Sequence, residues 1–250
     1  MIYLDNAAKT MKKPEAVAEA VVAAMGSMGN SGRGAGSAAL QASRIIYDAR
    51  VHLTRLFGGT DPSRLIFTGN STESLNLAIH GLFVPGDHVI TTMLEHNSVL
   101  RPLNELAQRG RISLTTIPPR DNGFIDPGDI AAAIRANTRL IVVTHASNVT
   151  GAIQPVAAIG QVARENGVRY LIDGAQALGI QPVDVGALRC AMYAFPGHKG
   201  LLGPQGTGGL YLDPGFALGT LREGGMPVAL LPGRMGGYSF FDPALGQRRR

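Results

Sequence analysis

Short apolar runs recur along this chain, each followed by a helix-forming segment. The clearest is Leu140-Ile141-Val142-Val143-Thr144. A strand that is apolar at every position must be covered on both faces, which is the habit of parallel sheets buried between helices. Strand signals stand at Leu65–Phe67, His88–Thr91, Ile112–Ile117, Leu140–Thr144, Val168–Ile172, Met192–Phe195 and Gly209–Leu212. Helical signals fill the spaces, at Pro14–Met25, Ser37–Phe57, Thr72–Phe83, Val99–Arg109, Ile130–Ala136 and Ile159–Asn166. A glycine-rich stretch, Gly26–Gly36, separates the first two helices. The expected fold is α/β, with a mostly parallel central sheet covered by helices.

In such sheets, ligands bind beyond the carboxyl ends of the strands. The polar residues just after each strand should therefore form a coherent chemical set, and they do. The successive strand ends offer Thr68-Gly69-Asn70-Ser71-Thr72-Glu73, Glu95-His96-Asn97, His145-Ala146-Ser147-Asn148, Asp173-Gly174-Ala175-Gln176 and Gly197-His198-Lys199-Gly200. Together they supply an anion cradle, an imidazole, an amide, a carboxylate and an amine.

Each of these has a plain alternative. Gly69–Thr72 leads into a helix, whose free amides and dipole favour phosphate, with Ser71 and Thr72 adding hydroxyls; an ordinary helix cap reads the same way. Lys199 could join an aldehyde as a Schiff base, or be a solvated surface lysine. Asp173 follows an apolar strand, so it is expected to be partly buried and to need a cationic partner such as a protonated pyridine nitrogen; a helix cap is the alternative. His96 could stack or shuttle protons, or serve structure alone.

Other chemistries find little support. No two of His88, His96 and His145 stand at i, i+4, and there is no HExxH run, nucleophile elbow or P-loop. The single cysteine, Cys190, excludes an internal disulfide and any multi-cysteine metal site, and reads as a small buried hydrophobe. The net charge of +5 owes three units to Arg248, Arg249 and Arg250, and no basic stripe with aromatics suggests nucleic acid. No apolar stretch reaches the roughly 18 residues of a membrane helix, and no secretory signal opens the chain. A cytoplasmic protein is the expectation.

The motifs, taken in order, resemble those of class V aminotransferase-fold enzymes dependent on pyridoxal 5′-phosphate, and within them cysteine desulfurases and selenocysteine lyases. The matching pieces are Tyr3–Ala8, Phe67–Asn76, Glu95–Ser98, His145–Gly151, Asp173–Gln176, Gly197–Gly200 and Gly203–Gly208. The resemblance covers roughly residues 1 to 224. It implies the fold type I large domain of pyridoxal phosphate-dependent transferases and a homodimer. Lys199 would hold the cofactor as a Schiff base and move the substrate α-proton. Asp173 would pair with the pyridine nitrogen, His96 would stack on the ring, and Gln176 would bond the phenolate oxygen. Ser71, Thr72 and His198 would hold the phosphate. Asn148 would lie near the phenolate and the substrate carboxylate, and Thr207 would reach the phosphate of a partner subunit. L-Cysteine or L-selenocysteine would be the substrate. In a desulfurase, sulfur would pass through an enzyme cysteine to a sulfur-acceptor protein, leaving alanine.

Two departures stand out. Where the family commonly has Ser or Thr three residues before the lysine, this chain has Pro196, which offers no donor. The family's smaller C-terminal domain, with its nucleophilic cysteine and carboxylate-binding arginine, is not found, and Cys190 is not its equivalent. The resemblance ends near Gly225, so the division expected is a cofactor domain at 1–225 and an atypical tail at 226–250, read as the mark of a truncated or frameshifted copy. An impaired desulfurase is the first reading. Another class V aminotransferase, a selenocysteine lyase and a non-catalytic cofactor-binding relative stay open beside it.

Overall fold

The computed structural model describes residues 2–29, 31, 36–216 and 218–219. The tail at 226–250 lies outside the described residues. Among those described, one sheet is built from β1 (Leu65–Thr68), β2 (Asp87–Thr92), β3 (Ile112–Ile117), β4 (Thr138–Thr144), β5 (Arg169–Asp173), β6 (Met192–Pro196) and β7 (Gly208–Leu212). The strand order is β1-β7-β6-β5-β4-β2-β3. Strands β2 to β6 pair in parallel, and β7 is antiparallel to both β6 and β1. β1 therefore points the same way as the parallel set. The carboxyl ends of β1, β2, β4, β5 and β6 share one edge, and every sequence-predicted site residue but Thr207 lies at that edge or in a segment just beyond it.

The sheet is held by alternation. Side chains leave a strand to opposite faces in turn. In β4, Leu140 and Val142 enter one core, while Ile141 and Val143 enter the other. The first core packs Leu75 and Ile79 of α3 (Ser71–His80) and Val99 and Leu103 of α4 (Asn97–Gln108) against the sheet. The second packs Ile130 of α5 (Pro127–Ala133), Val156 and Ile159 of α6 (Val156–Glu165), and α7 (Val185–Leu188). Each fully buried Leu or Ile contributes roughly 1.5–3 kcal/mol. The two layers thus fix the strand ends from both sides.

Two helices stand apart. No residue of α1 (Glu15–Ser27) is buried, and α2 (Ser37–Leu56) buries only Ala39, Ala42 and Thr54. Val22, Met25, Ile45, Ile46 and Tyr47 are exposed.

Some boundaries differ from the sequence reading. The helix expected at Ile130–Ala136 runs from Pro127 to Ala133, because Asp126 Oδ1 accepts from Gly128 N–H at 2.8 Å and Pro127 takes the first helical position. The helix expected to reach Phe83 stops at His80, ahead of Gly81. The start of α3 is capped by Asn70, not by Ser71 or Thr72: Asn70 Oδ1 accepts from Glu73 N–H at 2.8 Å, and Glu73 Oε2 accepts from Gly69 N–H at 2.7 Å.

Candidate active site

A cavity of about 230 Å³ opens at the shared strand edge. Its lining includes Ser71, Thr72, His96, Asn148, Asp173, Gln176, His198 and Lys199, so the structure brings together eight of the nine predicted site residues. The ninth, Thr207, does not line it. Its hydroxyl donates to Pro204 O at 2.6 Å, and it packs against Gly197.

Lys199 is delivered by the loop after β6. Gly197 N–H donates to Thr207 O at 2.8 Å, and Gly203 N–H returns to Gly197 O at 2.7 Å. The turn is too tight for side chains at its glycines. A Cβ on Gly197 would lie 2.2 Å from Thr207 Oγ1, and one on Gly200 would lie 2.3 Å from Leu178 O. The N-terminal segment holds the loop from outside: Thr10 Oγ1 and Lys13 Nζ both donate to His198 O, at 3.0 and 2.9 Å.

Asp173 ends β5 and is almost completely buried. Its Oδ1 accepts from Ala175 N–H at 3.0 Å and from Ser71 Oγ at 3.4 Å. Burial pushes its carboxyl above the usual range, while the Ala175 amide, Lys199, His96 and Ser71 pull the other way. Burial lowers the Lys199 amine, and the Asp173 charge opposes that shift. The two groups border one cavity and feel each other's charge, yet no ion pair closes between them.

The residues expected to meet a phosphate gather at the start of α3. Because Asn70 engages Glu73 N–H, the amides of Ser71 and Thr72, first in the helix, are left for a ligand. His198 Nδ1 is buried without a hydrogen-bond partner. Burial, Lys199 and Lys13 lower the affinity of this ring for a second proton, and the Thr207 backbone opposes them. A buried nitrogen with no partner beside free helix amides fits an anionic group with several oxygens.

His96 caps α4. Its Nδ1 accepts from Ser98 N–H at 3.1 Å and lies 2.7 Å from Ser98 Oγ. Taking an amide proton at Nδ1 assigns the neutral ring its proton at Nε2. Gln176 Nε2 donates to Ala7 O at 2.9 Å, and Ala8 joins the lining, so the end of the Tyr3–Ala8 motif borders the site. Asn148 lines the cavity from the loop after β4.

The sequence reading gives no role to Asn70, Ser98, Thr144, Ala146, Ala175 or Ala8, which also line the cavity. Their signal is position alone: each is close in sequence to a named residue. Glu95 receives none either, although it is a buried acid directly before His96.

A family model, Aminotransferase class-V, matches residues 2–225. The chain is 40% identical over 212 residues to a probable cysteine desulfurase of Methanothermobacter thermautotrophicus, covering 84% of this chain and 52% of that protein. It is 37% identical over 218 residues to the cysteine desulfurase IscS of Escherichia coli O139:H28, covering 84% and 53%. Among solved structures, the apo cysteine desulfurase from Thermococcus onnurineus NA1 superposes with a TM-score of 0.83 at 31% identity, covering 97% of this chain and 61% of that one. SspA in complex with cysteine gives a TM-score of 0.80 at 33% identity, covering 85% and 61%. The chain thus spans about half the length of the curated relatives it matches.

Proposed function

The chain belongs to the class V aminotransferase family, and on that premise we propose that its cavity binds pyridoxal 5′-phosphate and acts on L-cysteine as cysteine desulfurases do. Cysteine desulfurases of this family depend on that cofactor. The observation that carries the reading is Asp173 and Lys199 bordering one cavity, unpaired, beside the open amides at the start of α3. The likeness to desulfurases, and to a solved relative in complex with cysteine, supports the substrate.

When bound, the cofactor supplies an electron sink for negative charge at the substrate α-carbon. The chain's own groups would hold and tune it. Ser71, Thr72 and His198 bind the phosphate. Asp173, anionic once it faces a pyridinium, keeps that nitrogen protonated. His96 stacks on the ring, Gln176 donates to the phenolate oxygen, and Asn148 lies beside the substrate carboxylate. Burial lowers the pKa of Lys199, so more of its amine is free to join an aldehyde and then to move a proton at the substrate α-carbon.

Cys190 is not the sulfur acceptor. It is buried, and burial pushes its thiol up to about 12, so the nucleophilic thiolate is scarce at neutral pH. With Cys190 inert, sulfur from L-cysteine goes to a thiol other than Cys190. That thiol becomes a persulfide, and alanine takes up the proton. A homodimer accompanies this reading, supported by the apolar residues that α1 and α2 expose.

The test is direct. Mixed with pyridoxal 5′-phosphate, the chain should develop a visible absorbance band that Lys199→Ala abolishes. With L-cysteine it should then form alanine in the presence of dithiothreitol and little in its absence. A missing band sinks the cofactor reading. A band without thiol-dependent alanine sinks the desulfurase reading.

A further inference from the structure

Glu95 lies in the turn between β2 and α4, one residue before His96, and is only 6% exposed. One of its oxygens is fully engaged. Oε1 accepts from Thr92 Oγ1 at 2.7 Å and from Thr144 N–H at 3.0 Å. The other, Oε2, is buried without a partner. Thr92 is the last residue of β2 and Thr144 the last of β4, and these strands are neighbours in the sheet. Thr92 Oγ1 in turn accepts from Leu94 N–H at 3.1 Å, so the turn is fastened at successive points.

The consequence is mechanical. Parallel neighbours share hydrogen bonds only along their paired length, and beyond it the two chain ends diverge unless a side chain joins them. The pairing of β2 with β4 ends at Ile90 and Ile141. Past that point Thr91 Oγ1 donates to Val142 O at 3.2 Å, and at the very ends of the two strands Glu95 Oε1 bridges the segment that carries His96 and the one that runs on to Asn148. The group at the other oxygen makes no bond, so an anion there would be buried, uncompensated and close to Asp173. A neutral acid keeps Oε1 as a carbonyl acceptor for both donors and removes that charge.

We propose that Glu95 is a positioning residue of the cofactor site: through Oε1 it ties the turn after β2 to the end of β4 and so fixes the place of the His96 ring at the cavity. The inference rests on the pyridoxal phosphate reading for its purpose, though not for its geometry. Glu95 touches neither cofactor nor substrate. It acts by placing the segment that carries His96.

Two measurements on the intact chain at pH 7 separate this role from general support of the fold. The first is the nitrogen NMR signature of the His96 ring without cofactor, assigned by its loss in His96→Gln. The second is the dissociation constant for pyridoxal 5′-phosphate. Glu95→Gln preserves Oε1 and neutrality, so it should retain the Nε2–H signature and bind within about twofold of the parent chain. Glu95→Ala and Thr92→Val should average the two ring tautomers and weaken binding about tenfold. Thr92→Val keeps the core volume and decides the matter should Glu95→Ala not fold. The proposal is overturned if folded Thr92→Val leaves the His96 signature unchanged, or if Glu95→Gln behaves like Glu95→Ala. Should the parent chain bind no cofactor, the cofactor reading falls while the ring signature still judges Glu95.

Discussion

Ser71 Oγ lies 3.4 Å from Asp173 Oδ1, linking the start of α3 to the end of β5 across 102 residues of sequence. The same hydroxyl lines the cavity where the phosphate is proposed to bind and helps hold down the pKa of the acid expected to meet the pyridine nitrogen. Ser71→Ala should therefore act on both. Binding of pyridoxal 5′-phosphate should weaken about tenfold, the usual scale for a lost bond to a charged group, while binding of pyridoxal, which has no phosphate, changes less. Absorbance titration with the two compounds checks this, and an equal loss for both would count against a phosphate role.

Asp173→Asn should trade function for stability. The carboxyl pKa is raised in the folded chain, chiefly by burial. An acid of that kind supports the fold fully below its unfolded pKa and loses that support as pH rises towards the folded value. Asparagine removes the penalty while its Oδ1 still accepts from Ala175 N–H. The cofactor-free variant should melt above the parent chain at pH 7 and level with it near pH 3. Alanine formation should fall by about 100-fold or more, since the amide cannot hold a proton on the ring nitrogen. A lower melting temperature at pH 7 would contradict this account of Asp173.

Glu95 gives the strongest pH signature. Burial pushes it up to about 8, with the neighbouring Asp173 charge adding to the rise, and Thr92 and Thr144 opposing it. The Tyr170 phenol also feels this acid. Between the ordinary carboxyl range and pH 8 the unfolded chain ionises Glu95 and the folded chain does not, so stability falls by up to about 1.4 kcal/mol per pH unit. Glu95→Gln should be free of that slope. The difference in unfolding free energy between variant and parent, measured with urea from pH 4 to 9, should grow up to pH 8 and then flatten. A difference that stays constant across the range would place a charged Glu95 in the folded chain.

Much of this site was legible in the sequence because α/β chemistry gathers at strand ends. The rule that polar residues follow apolar strands located His96, Asn148, Asp173 and Lys199 without any contact known. What it could not supply was the work that runs between segments. Thr10 and Lys13 hold the His198 carbonyl from 185 or more residues away, and nothing in their local pattern says so. Glu95 looked like one more polar residue after β2, because burial by β4 is a tertiary fact. The shift of α5 has the opposite cause: Asp126-Pro127 was a readable start signal, outweighed by the apolar Ile130.

Gly174→Ala tests the packing under Asp173. An added Cβ would lie 2.2 Å from the Tyr193 ring, whose hydroxyl is 3.1 Å from His145 Nδ1. Overpacking of this sort costs about 1–3 kcal/mol, and here it displaces the end of β5. Cofactor affinity should drop along with the melting temperature. Gly26→Ala, in α1 with open space around it, should instead stabilise by roughly 0.5–1 kcal/mol and leave cofactor binding alone.

Cys190 should resist alkylation by iodoacetamide in the native chain and react readily in urea, because its thiol is buried and donates to Val185 O at 3.8 Å. Cys190→Ala should keep thiol-dependent alanine formation within about twofold of the parent. Loss of that activity on substitution, in a chain that still melts normally, would make Cys190 the sulfur carrier.

The most direct measurement is chemical capture of the lysine–aldehyde bond. The chain is mixed with pyridoxal 5′-phosphate, reduced with borohydride, digested and mapped by mass spectrometry. The stable adduct should sit on Lys199, and Asp173→Asn should reduce its yield without moving it. An adduct spread over surface lysines such as Lys9 and Lys12, or absent from the peptide that carries His198 and Lys199, would contradict the assignment of this cavity.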